Sequence, residues 1–441
     1  MTTRFFNILP FVLCAALALT LQVQVTLFSS ESYLGLRVSL TDLFLPAAGL
    51  LIAASLLLKK SRMPEWPVRH FYYYMAALAA VFALSLLNAY LSYGFVTKWA
   101  YFNKFIGFFV PLALLGTGGW LATNADRRCI EKLIKIMVLI AFAVLSVQLS
   151  ILVLQSFPAL ESIKNLNSFV RFPIEGMMAN RNAYAFLMLC VYILVISFHK
   201  REDLIPLFIS RGFFFLLPFF IVFNASRTSG MALLLIMVVA GIAGRKTLKR
   251  YRDLFLMALL GLLSFIIAFN GKWDMELPYV NSRMYDIALK APQHADDGLF
   301  LMAENVNNVG DKMRLQIIDV AVDIIREYPL IGGGLGSSFL EQKRVYGKEV
   351  NVIDSTPLWL LTETGIIGLA VFAAFYIVVV RTIFKNRALA DDETRLLYNA
   401  FLLMILAFSI MCVLHEILYT RHIWLFIGLG LCLKPRTHQA V

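Results

Sequence analysis

Residues 313–339 read MRLQIIDVAVDIIREYPLIGGGLGSSF, and residues 354–369 read DSTPLWLLTETGIIGL. Together they close one long polar interruption, from about Asn270 to Thr356, in a chain that is otherwise a series of apolar runs. The other gaps between runs are short. A membrane protein that keeps a single large loop uses it, because loops carry binding and catalysis while spans position them. Within the loop, 313–327 has helical spacing, with Leu315, Ile318, Val322 and Ile325 on one stripe and Arg314 in the first turn. Pro329 and the run Gly332-Gly333-Gly334-Leu335-Gly336 end it. Residues 354–357 read as a helix start, with Ser355 or Thr356 able to cap and Pro357 suited to the first turn. The front of the loop, 271–311, has no clear period.

Outward from the loop, the composition fixes the class. Of 441 residues, 60% are hydrophobic and 15% charged, and the mean hydropathy is +0.74. Soluble domains are about a quarter charged, so the chain is an all-α polytopic integral membrane protein. Its apolar runs match the roughly 20 residues that cross a bilayer as a helix, and they lack the alternation of barrel strands. Helical spans are predicted near 5–28, 38–58, 71–93, 101–122, 134–157, 181–198, 205–224, 229–244, 253–270, 357–380, 396–417 and 421–433. The first resembles a signal peptide but lacks a convincing small-residue cleavage site, and reads as an uncleaved helix. No linker or repeat divides residues 1–441, so they form one transmembrane domain, with 270–356 inserted between the ninth and tenth spans.

The formal charge of +12 is distributed in a way that excludes a nucleic-acid partner. Lys and Arg gather in alternate gaps: Lys59, Lys60, Arg62 and Arg69; Arg127, Arg128, Lys132 and Lys135; Lys200 and Arg201; 245–252; 381–395; Lys434 and Arg436. This is the positive-inside pattern, and it places both termini in the cytoplasm and the long loop outside. The loop holds nine basic and thirteen acidic residues. Cys14, Cys190, Cys412 and Cys432 fall in spans and Cys129 on the inner side, with no disulfide or metal spacing. They read as small apolar fillers.

Few residues carry chemistry. Arg227 lies in NASRTSG between two spans, where a charge costs a few kcal/mol and marks either a functional site or an anchor for head groups. A guanidinium grips phosphate bidentately and keeps its charge. Arg314 reads either as a solvated helix-face residue or as a second such group. Arg171, Arg181 and Arg421 are further outward cations at span ends, readable as interfacial anchors or as ligands. Asp354 can accept a proton or serve as a helix-terminus carboxylate. Glu363, two turns into a span, needs a partner. His294, His415 and His422 have no metal-ligand spacing, and the glycine run lacks the Lys-Ser/Thr of a phosphate loop and follows a helix, so it reads as a connector or a close backbone approach.

The string from Arg314 through PLIGGGLGSSF to TETGIIGL resembles the O-antigen ligase / O-antigen polymerase superfamily, as do ANRNAYAFLML at 179–189 and SRTSGMALLL at 226–235. Their order fits as well. The resemblance implies a membrane-embedded, GT-C-like glycosyltransferase with no metal and no cofactor. It implies transfer of a glycan from undecaprenyl diphosphate to an acceptor hydroxyl on the periplasmic face of the bacterial inner membrane. The acceptor is lipid A-core for a ligase, or another saccharide for an O-antigen or exopolysaccharide polymerase. Chain-length regulators or export proteins are further partners of such enzymes. By motif, Arg227 matches the Ser-Arg turn and Arg314 the arginine of the loop helix. Many members carry His-Asn or His-Ser eleven residues before the glycine of the next span, whereas this chain has Asp354-Ser355. Either Asp354 takes that role, or the subfamily works without it, or the chain acts differently. The expected catalytic set is Asp354, Arg227 and Arg314, and the expected substrate-binding set is Arg181, Asn182, Ser226, Glu363 and Arg421. The competing reading is a transporter or flippase of a lipid-linked oligosaccharide.

Overall fold

Apolar runs of this length become helices because, in lipid, each backbone N–H and C=O must be satisfied within its own segment. A computed structural model describes residues 2–27, 36–66, 71–155, 174, 176–178, 180–224, 226–243, 248–270, 309–347 and 352–434. The helices are α1 (Thr2–Thr20), α2 (Leu40–Leu57), α3 (Phe71–Tyr93), α4 (Gly107–Asn124, entered through a π-helical segment Ala100–Ile106), α5 (Arg127–Gln155), α6 (Arg181–Phe198) and α7 (Leu207–Asn224). They continue as α8 (Arg227–Ala243), α9 (Leu248–Asn270), α10 (Val309–Glu327), α11 (Ser337–Tyr346), α12 (Thr356–Leu389), α13 (Asp392–Leu414) and α14 (Arg421–Cys432).

Among the described residues, seven helices are long and apolar enough to cross a membrane, and four shorter apolar ones accompany them. The chain is an all-α polytopic membrane protein, and each predicted span coincides with a helix. The first stops early. Its expected end at 28 gives way at Thr20, and Gln24–Leu27 pairs antiparallel with Leu36–Ser39. The alternation of Gln, Val and Thr there has the period of a strand.

α6 is the axis of the bundle, buried from Tyr184 to Phe198. α2 and α3 lie outside it and present Leu43, Leu50, Leu84 and Leu91 outward, as a lipid-facing surface requires. α4 and α14 meet backbone to backbone: a Cβ on Gly118 would collide with the Leu425 carbonyl oxygen, and one on Gly428 with that of Leu115. Small residues allow this approach, which drives helix association in lipid by van der Waals contact. At one end of the bundle, Arg127 pairs with Glu131 (3.0 Å) and Glu393 (2.7 Å), and Arg201 with Asp203 (2.7 Å). Beside Arg201, the Asp203 carboxyl is held down to about 2. The candidate residues gather at the opposite end.

The loop helix departs from its expected shape. α10 begins at Val309, so Arg314 is its sixth residue and lies beyond the first turn. Its buried stripe is Ile317, Val320, Ala321 and Ile324, whereas Leu315 and Ile318 are exposed. The segment carries two interleaved apolar stripes, and periodicity does not tell which one packs. Residues 271–308 and 156–173, including His294 and Arg171, lie outside the described residues.

Candidate functional site

The chain breaks its own helix to build the site. Within α12, Gly365 has φ 67° and ψ −171°, which frees backbone groups on either side. The glycine run fills the break. Gly333 and Gly334 donate their N–H groups to the carbonyls of Thr362 (2.9 Å) and Glu363 (3.1 Å). Ile366 and Ile367 donate to the carbonyls of Pro329 (3.0 Å) and Leu330 (3.2 Å). Gly332, Gly334 and Gly336 all have positive φ, which favours glycine. α3 holds the loop from behind, with Asn88 donating to the Gly332 carbonyl (2.8 Å) and Ser85 to that of Glu363 (2.6 Å). The Glu363 carboxylate is fully buried and accepts from the Gly336 N–H (3.0 Å) and the Ser338 hydroxyl (2.7 Å). It therefore sits at the N-terminus of α11, where a negative charge is favoured.

Beside the break, a lysine is enclosed. Lys104, in the π-helical segment, is buried and pairs with Glu416 at 2.6 Å. Its ammonium lies over the rings of Trp359 (4.2 Å), Trp99 (4.6 Å) and Tyr419 (4.7 Å). Tyr419 also donates to the Lys104 carbonyl at 3.1 Å. π-Helical turns are rare and concentrate at functional sites.

The turn between α13 and α14 ties these parts together. The His415 ring contacts the Asn182 amide through Nδ1 (3.2 Å) and the Thr228 hydroxyl through Nε2 (3.0 Å). Its carbonyl accepts from the Thr356 hydroxyl at 3.0 Å, and that hydroxyl accepts from the Ile417 N–H at 3.2 Å. Glu416 holds Lys104. Arg421 grips Asp42, with Nε 2.8 Å from Oδ1, and Asp42 completes a capping box with Ser39 at the start of α2. One short turn thus fastens the first turns of α2, α6, α8 and α12 beside the start of α14. Each helix N-terminus carries about half a positive charge, so this end is suited to an anion.

Of the expected residues, Arg181, Asn182, Ser226, Arg227, Asp354 and Arg421 lie at or beside the helix starts of this hub, whereas Glu363 lies at the glycine loop. Arg181 is exposed at the first position of α6, next to Asn182. Arg227 opens α8 next to Thr228, and its side chain lies outside the described residues, as does that of Arg314. Ser226 is buried, and its hydroxyl has no partner among the described residues. Asp354 is half-buried, two residues before Thr356. Asn182, Thr228 and Thr356 are brought together by His415. Glu363 and Arg421 are engaged by the loop and by Asp42. Sequence reasoning missed Lys104, His415, Glu416, Tyr419 and Asp42. The signal was present as a lone lysine inside an aromatic run and as His415, Glu416, Thr420, Arg421 and His422 crowded between two apolar helices. Among the described residues, no three His, Cys, Asp or Glu side chains gather where they could hold a metal.

Residues 212–373 match the family described as O-antigen ligase. The match runs from α7 through the loop to the second arm of α12. It supports the O-antigen ligase/polymerase superfamily and, in general terms, glycosyl transfer of that type by a membrane protein. No curated protein matches the chain.

Proposed function

We propose that the protein transfers a glycan from an undecaprenyl-diphosphate-linked donor to an acceptor hydroxyl on the periplasmic face of the inner membrane, as a surface polysaccharide polymerase or an O-antigen ligase. The observation that carries this reading is the gathering of helix starts around His415, with Arg181, Arg227 and Asp354 at or beside them. The positive-inside pattern supports an orientation with that end outside and both termini in the cytoplasm, in which 270–356 is the large outer loop of a single transmembrane unit.

In this reading, the acceptor oxygen attacks the anomeric carbon as the bond from that carbon to the diphosphate oxygen breaks. The bonding electrons leave with the diphosphate, and Arg227 and Arg314 stabilise the growing negative charge without a metal. Asp354 takes the acceptor proton, a role typically worth about 10²–10⁴-fold. Displacement inverts the anomeric centre. Arg181, Asn182, Ser226, Glu363 and Arg421 form the supporting shell, in which Glu363 holds the glycine loop and Arg421 anchors the turn through Asp42. The lipid tail enters laterally between spans, and the acceptor is lipid A-core or another lipid-linked saccharide. Chain-length regulators or export proteins are the partners such a polymer requires.

The broken helix α12 favours a second reading, because transporters build midplane sites from discontinuous helices. Here, however, the protein's own glycine loop fills the break. Purified protein in liposomes with a lipid-linked oligosaccharide separates the two readings. Release of undecaprenyl diphosphate means transfer, whereas intact donor redistributed between leaflets means transport and refutes the proposal.

A further inference from the structure

We propose that His415 is a positioning residue that turns the Thr228 hydroxyl into a hydrogen-bond donor for a phosphate oxygen of the donor lipid at the start of α8. This rests on the glycosyl-transfer reading and assigns that site Thr228, next to the Arg227 of the Ser-Arg turn, and His415, beyond the matched residues 212–373. The argument begins with the ring. The Asn182 amide nitrogen faces Nδ1 at 3.2 Å. An amide nitrogen only donates, so Nδ1 accepts, and the neutral ring carries its proton on Nε2. Nε2 then donates to Thr228 Oγ1 at 3.0 Å. The Thr228 hydroxyl has its oxygen occupied and its own proton left over, and no acceptor for that proton is found among the described residues.

Two residues earlier, Ser226 is in the same condition. It is 5% exposed, and its hydroxyl lacks any partner among the described residues. Burying an unpaired hydroxyl is costly, and two beside one helix start call for a shared acceptor. The α8 first-turn N–H groups add further donors there, and Arg227 lies between the two hydroxyls in sequence. A group that offers only acceptors and carries negative charge fits this set of donors, and a phosphate oxygen is such a group. A sugar hydroxyl fits less well, since it would bring donors of its own.

His415 acts through Thr228, so its effect is separable from simple packing. Thr228→Val keeps the shape and removes the proton, and Thr228→Ser restores a hydroxyl. His415→Gln can still accept from Asn182 and donate to Thr228, whereas His415→Ala can do neither. For purified full-length protein, Thr228→Val should raise the donor KM about ten- to hundredfold, the worth of one hydrogen bond to a charged group, with a smaller change in kcat. Inhibition by inorganic pyrophosphate should weaken in parallel. Thr228→Ser and His415→Gln should recover most of both, and His415→Ala combined with Thr228→Val should cost no more than either change alone. An unchanged donor KM and pyrophosphate inhibition in Thr228→Val overturns the inference, as does additivity of the two changes. If the wild-type protein releases no polyprenyl diphosphate from any lipid-linked glycan, the transfer reading fails instead. Direct binding of inorganic pyrophosphate to wild type, Thr228→Val and Thr228→Ser then decides the phosphate site: binding weakened in Val and restored in Ser upholds it, and equal binding overturns it.

Discussion

Replacing Gly332 by alanine should do far more damage than the same change at Gly347, although the two share nearly the same backbone, with φ 70° and 68°. At both positions, an alanine in the left-handed region costs about 1–2 kcal/mol. At Gly347 the added methyl meets nothing within 4 Å, so the cost stops there. At Gly332 it would lie 2.5 Å from the Glu363 carbonyl carbon and 2.6 Å from the backbone nitrogens of Thr364 and Gly365. These are backbone atoms on the other face of the helix break, and no rotamer relieves them. Either the core bears overpacking of about 1–3 kcal/mol, or the loop withdraws from α12. Withdrawal strips the Thr362 carbonyl of its donor and leaves the Glu363 carbonyl with the Ser85 hydroxyl alone, at about 1–3 kcal/mol for the buried group left unpaired. The expected difference between the two variants is therefore about 1–3 kcal/mol. The assay heats detergent-solubilised protein in steps and records the fraction that stays monodisperse. Gly332→Ala should fail many degrees below wild type, and Gly347→Ala only slightly below it. Equal losses in the two variants would show that the glycine loop does not fill the break, and the account of the site would lose its scaffold.

Lys104→Met should destabilise the protein by about 3–5 kcal/mol by leaving Glu416 buried without its cation, and Lys104→Met with Glu416→Gln should recover part of that loss in the same heating assay. Arg227→Ala and Arg314→Ala should abolish transfer while leaving membrane levels unchanged; near-wild-type glycan ladders from a complemented deletion strain would contradict a diphosphate clamp. Asp354→Asn should lower transfer by about 10²–10⁴-fold with unchanged thermal stability if the carboxylate is the base; retained activity with lost stability would make it a helix-terminus charge. Transfer should survive EDTA, and loss that magnesium reverses would refute the metal-free mechanism.

The helices were legible because lipid imposes a length and an apolar composition on each of them. The cap of α12 was legible to within one residue, as Ser355 or Thr356, because capping is local: the Ser355 hydroxyl accepts from the Leu358 N–H within one turn. The face of α10 was not, because Leu315 and Ile318 compete with Ile317 and Val320 for the same periodicity and only the neighbouring elements decide. The break at Gly365 was hidden for a related reason. TETGIIGL has the composition of an unbroken span, and the carbonyls it frees are satisfied by a segment some thirty residues earlier.

The same logic explains why the long loop stands out in the sequence although the short turn carries the connections. Near a membrane, a charged or strongly polar side chain must find a partner. Lys104, Glu416, Asp42, Arg421 and His415 each announced that need in the sequence without naming the partner. Their partners are remote: Asn182 and Thr228 for His415, Lys104 for Glu416, Asp42 for Arg421. A loop of many residues can change its sequence and keep its path. The six-residue turn 415–420 cannot, since His415, Glu416, Ile417, Tyr419 and Thr420 are all committed to hydrogen bonds or ion pairs. Substitutions there should therefore disturb several helix starts at once, whereas changes at Leu315 or Ile318, on the exposed stripe of α10, should leave the hub in place.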